Sequence, residues 1–167
     1  MMKTIAIFQG FFLPHVGGVE RYTYNLSKKL HKKGYNIIIV TTKHDDKLKF
    51  KEELEYVTIY RFNNYNKLSN RYPIIKKDKT YKKIIKELSN IKIDYIILNT
   101  RFWLTTLIGA RFAKKNSIPC CVIEHGTSHF TIYNKILDFF GRQYEHMLTR
   151  KVKILVKDYY GVSRGLL

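Results

Sequence analysis

The sequence is poor in the residues that staple or interrupt a chain. Its 167 residues include three prolines and two cysteines. The cysteines, Cys120 and Cys121, are adjacent in an apolar run. A strand would point them to opposite faces, which excludes a disulfide framework and leaves reduced core thiols, as in a cytoplasmic protein. No run approaches the roughly 20 apolar residues of a membrane-spanning helix. The opening residues Met1 to Ile5 are too short in apolar character for a secretion signal and read as the start of a strand. Acidic residues are scarce, 13 against 31 Lys and Arg, for a net charge of +18. Such a surplus attracts nucleic acid, anionic membranes or phosphorylated ligands without choosing among them, and a lysine-, asparagine- and isoleucine-rich palette also arises from coding bias.

Several motifs are missing too. Gly10 and the pair Gly17-Gly18 do not have the spacing of G-x-G-x-x-G, which disfavours an NAD or FAD domain, and no G-K-[ST] follows them. The lysines between 76 and 86, with Tyr81, come without a helix-turn-helix, RNP, KH or zinc motif, so they read as a solvated face and no nucleic-acid partner is expected. His125 and His129 form a lone H-x-x-x-H with no supporting carboxylates or thiols, so no metal is expected.

What is present is a core, with 45% hydrophobic residues in the length of one domain. Lys3 to Phe8 reads as a buried strand. Val19, Tyr22, Leu26 and Leu30 recur at helical steps, and Gly34 suits the C-terminal cap. Tyr35 to Val40 is a second strand, Thr41 to Glu53 a charged loop, and Tyr56 to Phe62 a third strand. Asn63 to Lys77 reads as an exposed connection with room for a helical turn, and Thr80 to Ser89 as a short basic helix. A strand at Asp94 to Asn99, a helix at Phe102 to Lys115 and a strand at Pro119 to Ile123 follow. A helix from Ile132 to about Leu155, with a break expected near Gly141, precedes a short strand at Tyr159 to Val162, and Ser163 reads as the N-cap of a further helix. Strands alternating with helices predict an α/β, Rossmann-like, doubly wound, mostly parallel sheet of about six strands with helices on both faces.

In such a sheet ligands bind beyond the carboxyl ends of the strands. Three segments belong there: Gln9 to Val19, Asn99-Thr100-Arg101, and Glu124 to Phe130. The Gly17-Gly18 loop opening into a helix suits an anion, because the first N–H groups of a helix have no internal partners and its dipole favours negative charge. A structural turn is the plainer reading of the same glycines. His125 either caps its loop or points into the cleft, with Gly126 letting a ligand approach. Glu124 beside it is a base, an orienting group or a polar strand end. Tyr60, Phe62, Tyr65 and Tyr72, set among lysines, suit an interfacial patch against anionic lipid.

The run Pro14-His15-Val16-Gly17-Gly18-Val19-Glu20-Arg21-Tyr22, the following Leu26 and Leu30, and Gly34-Tyr35-Asn36 resemble the opening of family 4 glycosyltransferases. Glu124-His125-Gly126-Thr127 is similar to that family's H-G-T loop, and Asp158 to Ser163 to its strand ending in V-S. The resemblance implies a retaining GT-B enzyme, whose N-terminal domain holds the acceptor and which needs neither metal nor cofactor. Carried over, Gly17 and Gly18 lie against the diphosphate of a nucleotide-sugar donor, with Gly126 and Thr127 as further donor contacts. His125 is the catalytic candidate, beside the reacting carbon of the sugar. His15, Glu20, Asn99 and Arg101 are acceptor contacts. The family's second domain, with its basic pair and E-x7-E motif, is not in these residues. The chain is then a single N-terminal GT-B domain over residues 1–167, inactive by itself, and two readings stay open: part of a longer enzyme, or a half-enzyme that pairs with a separate donor-binding chain. Surface polysaccharide or glycolipid synthesis at the cytoplasmic face of the cell membrane, on a glycan or lipid-linked acceptor, is the expected setting. A basic nucleic-acid-binding α/β protein is the reading from another class.

Overall fold

The computed structural model describes residues 2–65, 72–126 and 135–162. Thr4–Phe8 (β1), Asn36–Thr42 (β2), Val57–Phe62 (β4), Tyr95–Asn99 (β7), Cys120–Glu124 (β8) and Asp158–Gly161 (β9) run parallel, and Lys51–Leu54 (β3) joins as an antiparallel edge. The order across the sheet is β3-β4-β2-β1-β7-β8-β9. The sheet is therefore Rossmann-like and mostly parallel, with seven strands rather than about six.

The additional strand is β3. The segment Thr41 to Glu53 was expected to be loop throughout because of its charge, but an edge strand tolerates charge on its solvent side. There Glu53 accepts from the Thr58 hydroxyl (2.7 Å) and Glu52 pairs with Arg61 (2.7 Å). The connection 63–77 also differs from expectation. Within it Asn64–Tyr65 (β5) and Ile74–Ile75 (β6) pair as two short antiparallel strands, and Asn64, Tyr72 and Ile75 are buried rather than exposed; residues 66–71, where a helical turn had room, lie outside the described residues.

Two clusters form the core, one on each face of the sheet. Period-2 alternation sends Ile5, Ile7, Ile37, Ile39, Val57 and Ile59 to one face, covered by Gly18–Lys32 (α1). Ala6, Phe8, Ile38, Val40, Tyr60 and Phe62 go to the other, covered by Lys79–Ser89 (α2), Leu104–Lys115 (α3) and Lys135–Leu155 (α4). Tyr60, Phe62 and Tyr72 are thus core residues, which corrects the expected lipid-facing aromatic patch; of those four only Tyr65 is exposed. Helix α4 continues through Gly141 without the expected break. Gly34 follows α1 at φ +85°, where a residue with a side chain would be strained. Ser163 lies outside the described residues. Cys120 and Cys121 are free and face opposite sides, and burial raises both thiols above their ordinary pKa.

The burial of α1 was not anticipated. Its most buried residues are Glu20, Thr23 and Ser27, while Tyr22, Leu26 and Leu30 are only half-buried. A helix that rests on a sheet through small and polar side chains brings polar atoms to the sheet surface, at the end where the ligand loops lie.

Candidate functional site

The sheet changes direction at β1, which has β2 on one side and β7 on the other. The crevice of a doubly wound sheet lies at that point, beyond the carboxyl ends of the strands. Gln9 follows β1 and Asn99 ends β7. By alternation both share the α1 face with Ile7 and Ile97, and His125, just past β8, shares it with Ile123 and Cys121.

These side chains form one connected network. The Gln9 amide nitrogen donates to the Phe11 carbonyl (2.8 Å), which turns Gln9 Oε1 inward as an acceptor. That oxygen receives the Thr23 hydroxyl (2.5 Å) and the Asn99 amide (3.0 Å), and the same Asn99 nitrogen also donates to Thr23 Oγ1 (2.8 Å). With its nitrogen committed, Asn99 presents Oδ1 to His125 Nε2 at 3.2 Å. An acceptor there requires a proton on Nε2, so the neutral imidazole is the Nε2–H tautomer and Nδ1 is left as an acceptor. Gln9, Thr23 and Asn99 are fully buried. Burial also lowers the His125 pKa from its ordinary value, and the Tyr22 ring meets the imidazole edge-on at 4.7 Å. The ring is therefore neutral near pH 7 and has a fixed orientation.

Arg101 brackets the next turn of chain. Its backbone N–H donates to Glu124 Oε2 (3.2 Å), and its guanidinium pairs with the same oxygen (3.0 Å) and donates to the Gly126 carbonyl (3.3 Å). The bracket is possible because Thr100 takes φ +67°, with its N–H bound to the Ile123 carbonyl and its own carbonyl bound by the Thr106 hydroxyl. Among the described residues the buried Glu124 Oε1 and Thr100 Oγ1 have no hydrogen-bond partner.

The glycine loop is anchored from below. Hydroxyls of Thr41 and Thr42 donate to the Gly10 carbonyl (3.0 and 2.7 Å), and the buried Arg61 donates to the Leu13 carbonyl (2.8 Å). The two glycines then differ. A Cβ on Gly17 would lie 2.5 Å from Glu20 Oε2, so the Glu20 carboxylate already fills the space before Gly17, where the N-terminus of α1 favours negative charge. Among the described residues, nothing lies within 4 Å of where a Cβ would stand on Gly18 or Gly126. Glu20 is buried, and its other oxygen lies 3.3 Å from His15 Nδ1.

The structure thus brings Asn99 and His125 into contact, joins Arg101 to the Gly126 carbonyl, and places His15 and Gly17 on the adjacent loop with Gly18 and Glu20 in the first turn of α1. Thr127 lies outside the described residues, as does His129. Among the described residues no three His, Cys, Asp or Glu side chains gather as metal ligands. Sequence reasoning passed over Gln9, Thr23 and His44. His44 stands 5.5 Å from the His15 ring, near Phe11, and its pKa is lowered by burial first and then by His15 and Arg61. Gln9 carried a signal, a polar residue following a buried strand at the loop. Thr23 carried none, because its partners are distant in sequence.

Comparison with known proteins yields a consistent set. The family model described as Glycosyltransferase Family 4 matches residues 16–162. An uncharacterized glycosyltransferase of Methanocaldococcus jannaschii is 27% identical over 164 residues, covering 91% of this chain and 41% of that protein. The phosphatidylinositol N-acetylglucosaminyltransferase GPI3 subunit of Saccharomyces cerevisiae is 29% identical over 80 residues, 43% of this chain and 18% of its own length. The chain thus spans less than half the length of these curated relatives. Among solved structures, the sucrose-phosphate synthase from Thermosynechococcus elongatus shares the fold at a TM-score of 0.51 and 11% identity, over 95% of this chain and 47% of that one.

Proposed function

The chain belongs to glycosyltransferase family 4, and from that premise we propose that it is the acceptor-side, N-terminal domain of a retaining GT-B enzyme. A facing domain, in a longer chain or a partner, holds the nucleotide-sugar. In the transfer, the bond from the anomeric carbon to the diphosphate oxygen breaks. A bond from that carbon to an acceptor hydroxyl oxygen forms on the same face of the ring, and the hydroxyl proton departs with the nucleoside diphosphate. The acceptor is a glycan or a lipid-linked glycan, and the enzyme works peripherally at the inner face of the cell membrane. That one relative is named as a subunit supports a multi-chain setting as the second reading.

The observation that carries the proposal is the fixed imidazole in the crevice. His125 Nδ1, bare because Nε2–H serves Asn99, accepts a hydroxyl of the donor sugar. The ring is kept neutral by burial, which suits a transition state that gathers positive charge on the sugar, since an imidazolium there would oppose it. Gly18 and Gly126 leave room for the donor beside the N-terminus of α1. Asn99 and Arg101 position the His125 loop, while His15, with Glu20 behind it, faces the acceptor side.

The test is transfer by the two-domain protein from a panel of nucleotide-sugars. His125→Ala is expected to lower kcat by roughly 100-fold or more while circular dichroism stays unchanged. Near-normal turnover in that variant would remove His125 from the chemistry.

A further inference from the structure

We propose that the solvent face of α4 is a docking surface for an anionic lipid bilayer. The exposed large apolar side chains concentrate on this helix: Phe139 is 59% exposed, Phe140 64%, Met147 40% and Ile154 78%. Phe140, Met147 and Ile154 recur at seven-residue intervals and so form one line along the helix, roughly 21 Å from first to last at about 1.5 Å per residue. The opposite side of α4, through Leu148 and Val152, is buried in the core beside α3. Among the described residues the apolar line takes no part in the core.

Its surroundings identify the occupant. Arg150 and Lys151 lie one on each side of the line between Met147 and Ile154, while Arg142 and Lys153 lie further round the helix, all exposed. The acidic residues described on α4 lie elsewhere, Glu145 buried and Asp138 half-buried. A shallow hollow between Gln143, Met147, Arg150 and Ile154 lies on this same face. Apolar side chains interleaved with cations, on a helix lying along a surface, fit the boundary between headgroups and acyl chains of an anionic leaflet. A second copy fits poorly. A symmetric contact would set Arg150 and Lys151 against their own equivalents with no exposed acid among the described side chains of the face to pair them. The chain as a whole carries +18, which adds attraction of the same sign.

This surface gives a location to the membrane in the proposed function and rests on that reading only for its setting, because vesicle binding requires no transfer. The experiment is flotation of the chain with vesicles of equal parts phosphatidylglycerol and phosphatidylcholine, and with phosphatidylcholine alone. The chain is expected to float with the first and much less with the second. Arg150→Glu with Lys151→Glu should lower partitioning by roughly 25-fold or more, at about fivefold per cation removed. Phe140→Ser with Ile154→Ser should also lower it, by roughly tenfold or more, by removing the apolar contact. The two pairs are independent, so if one fails to fold the other decides. The proposal is overturned if the wild type stays in solution with anionic vesicles, if folded variants float as well as wild type, if phosphatidylcholine alone binds equally well, or if the wild type is a dimer that the variants dissociate. Failure to float in a chain whose two-domain form transfers sugar contradicts this surface alone. Flotation together with a fully active His125→Ala variant contradicts the transfer chemistry alone.

Discussion

The two faces of the sheet are packed by different rules. The face under α2, α3 and α4 is packed mainly by apolar side chains, from Phe8, Val40 and Leu98 in the strands to Ile84, Leu88 and Leu148 on the helices. There α3 approaches so closely at Gly109 that a Cβ would lie 2.5 Å from Leu98 and 2.7 Å from Phe8. The face under α1 is apolar only in its lower part. Toward the carboxyl ends it becomes a buried polar network of Gln9, Thr23 and Asn99 leading to His125. Apolar burial provides most of the stability but does not choose among orientations, since it scales with area and has no direction. A satisfied network of buried polar groups adds little net stability and fixes donors, acceptors and a tautomer. The comparison teaches that this domain places stability on one face and orientation on the other.

Substitutions on the two faces should therefore separate stability from site geometry. The largest effect is expected from Leu88→Ala on α2. Leu88 is fully buried on the apolar face, and the loss should be about 2–5 kcal/mol in denaturant unfolding. The ring signals of His125 should not move, and a shift there would show that the faces are coupled. A smaller loss, about 1–2 kcal/mol, is expected for Thr23→Val, which keeps the shape but removes a donor to Gln9 Oε1 and an acceptor for Asn99. That variant should perturb the His125 ring signals. Unchanged ring signals would mean that the network does not reach the histidine.

The division also explains what was legible in the sequence. Continuous apolar runs at Ile5 to Phe8 and Ile37 to Val40 announced buried strands, Val57 to Phe62 read as a third strand, and the order of elements announced the parallel sheet. The rim loops were legible as well, because a doubly wound sheet puts every strand's carboxyl end on one side. The edge strand β3 was hidden by charge that an edge can carry. The apolar count also misled on Tyr60, Phe62 and Tyr72, because neighbouring lysines suggested exposure to residues whose rings lie in the core. The least legible part was α1. Its apolar residues at helical steps suggested the buried stripe, yet Glu20, Thr23 and Ser27 are deeper, because the site needs polar groups there. Asn99 and His125 were singled out separately. Their contact could not be read, since it depends on how Gln9 and Thr23 commit the asparagine's nitrogen.

The most direct test is a titration of the His125 ring nitrogens by 15N nuclear magnetic resonance. At neutral pH the expected form is the neutral ring with the proton on Nε2 and none on Nδ1. Protonation should occur only below the ordinary histidine value of about 6.5, because burial depresses this one. The unfolded chain then takes up the proton more readily than the folded one. The stability tied to the neutral ring is thus complete above about pH 6.5 and is lost as pH falls through the depressed value. A ring protonated on Nδ1, or one that titrates at or above the ordinary value, would contradict a crevice histidine held neutral and oriented by Asn99.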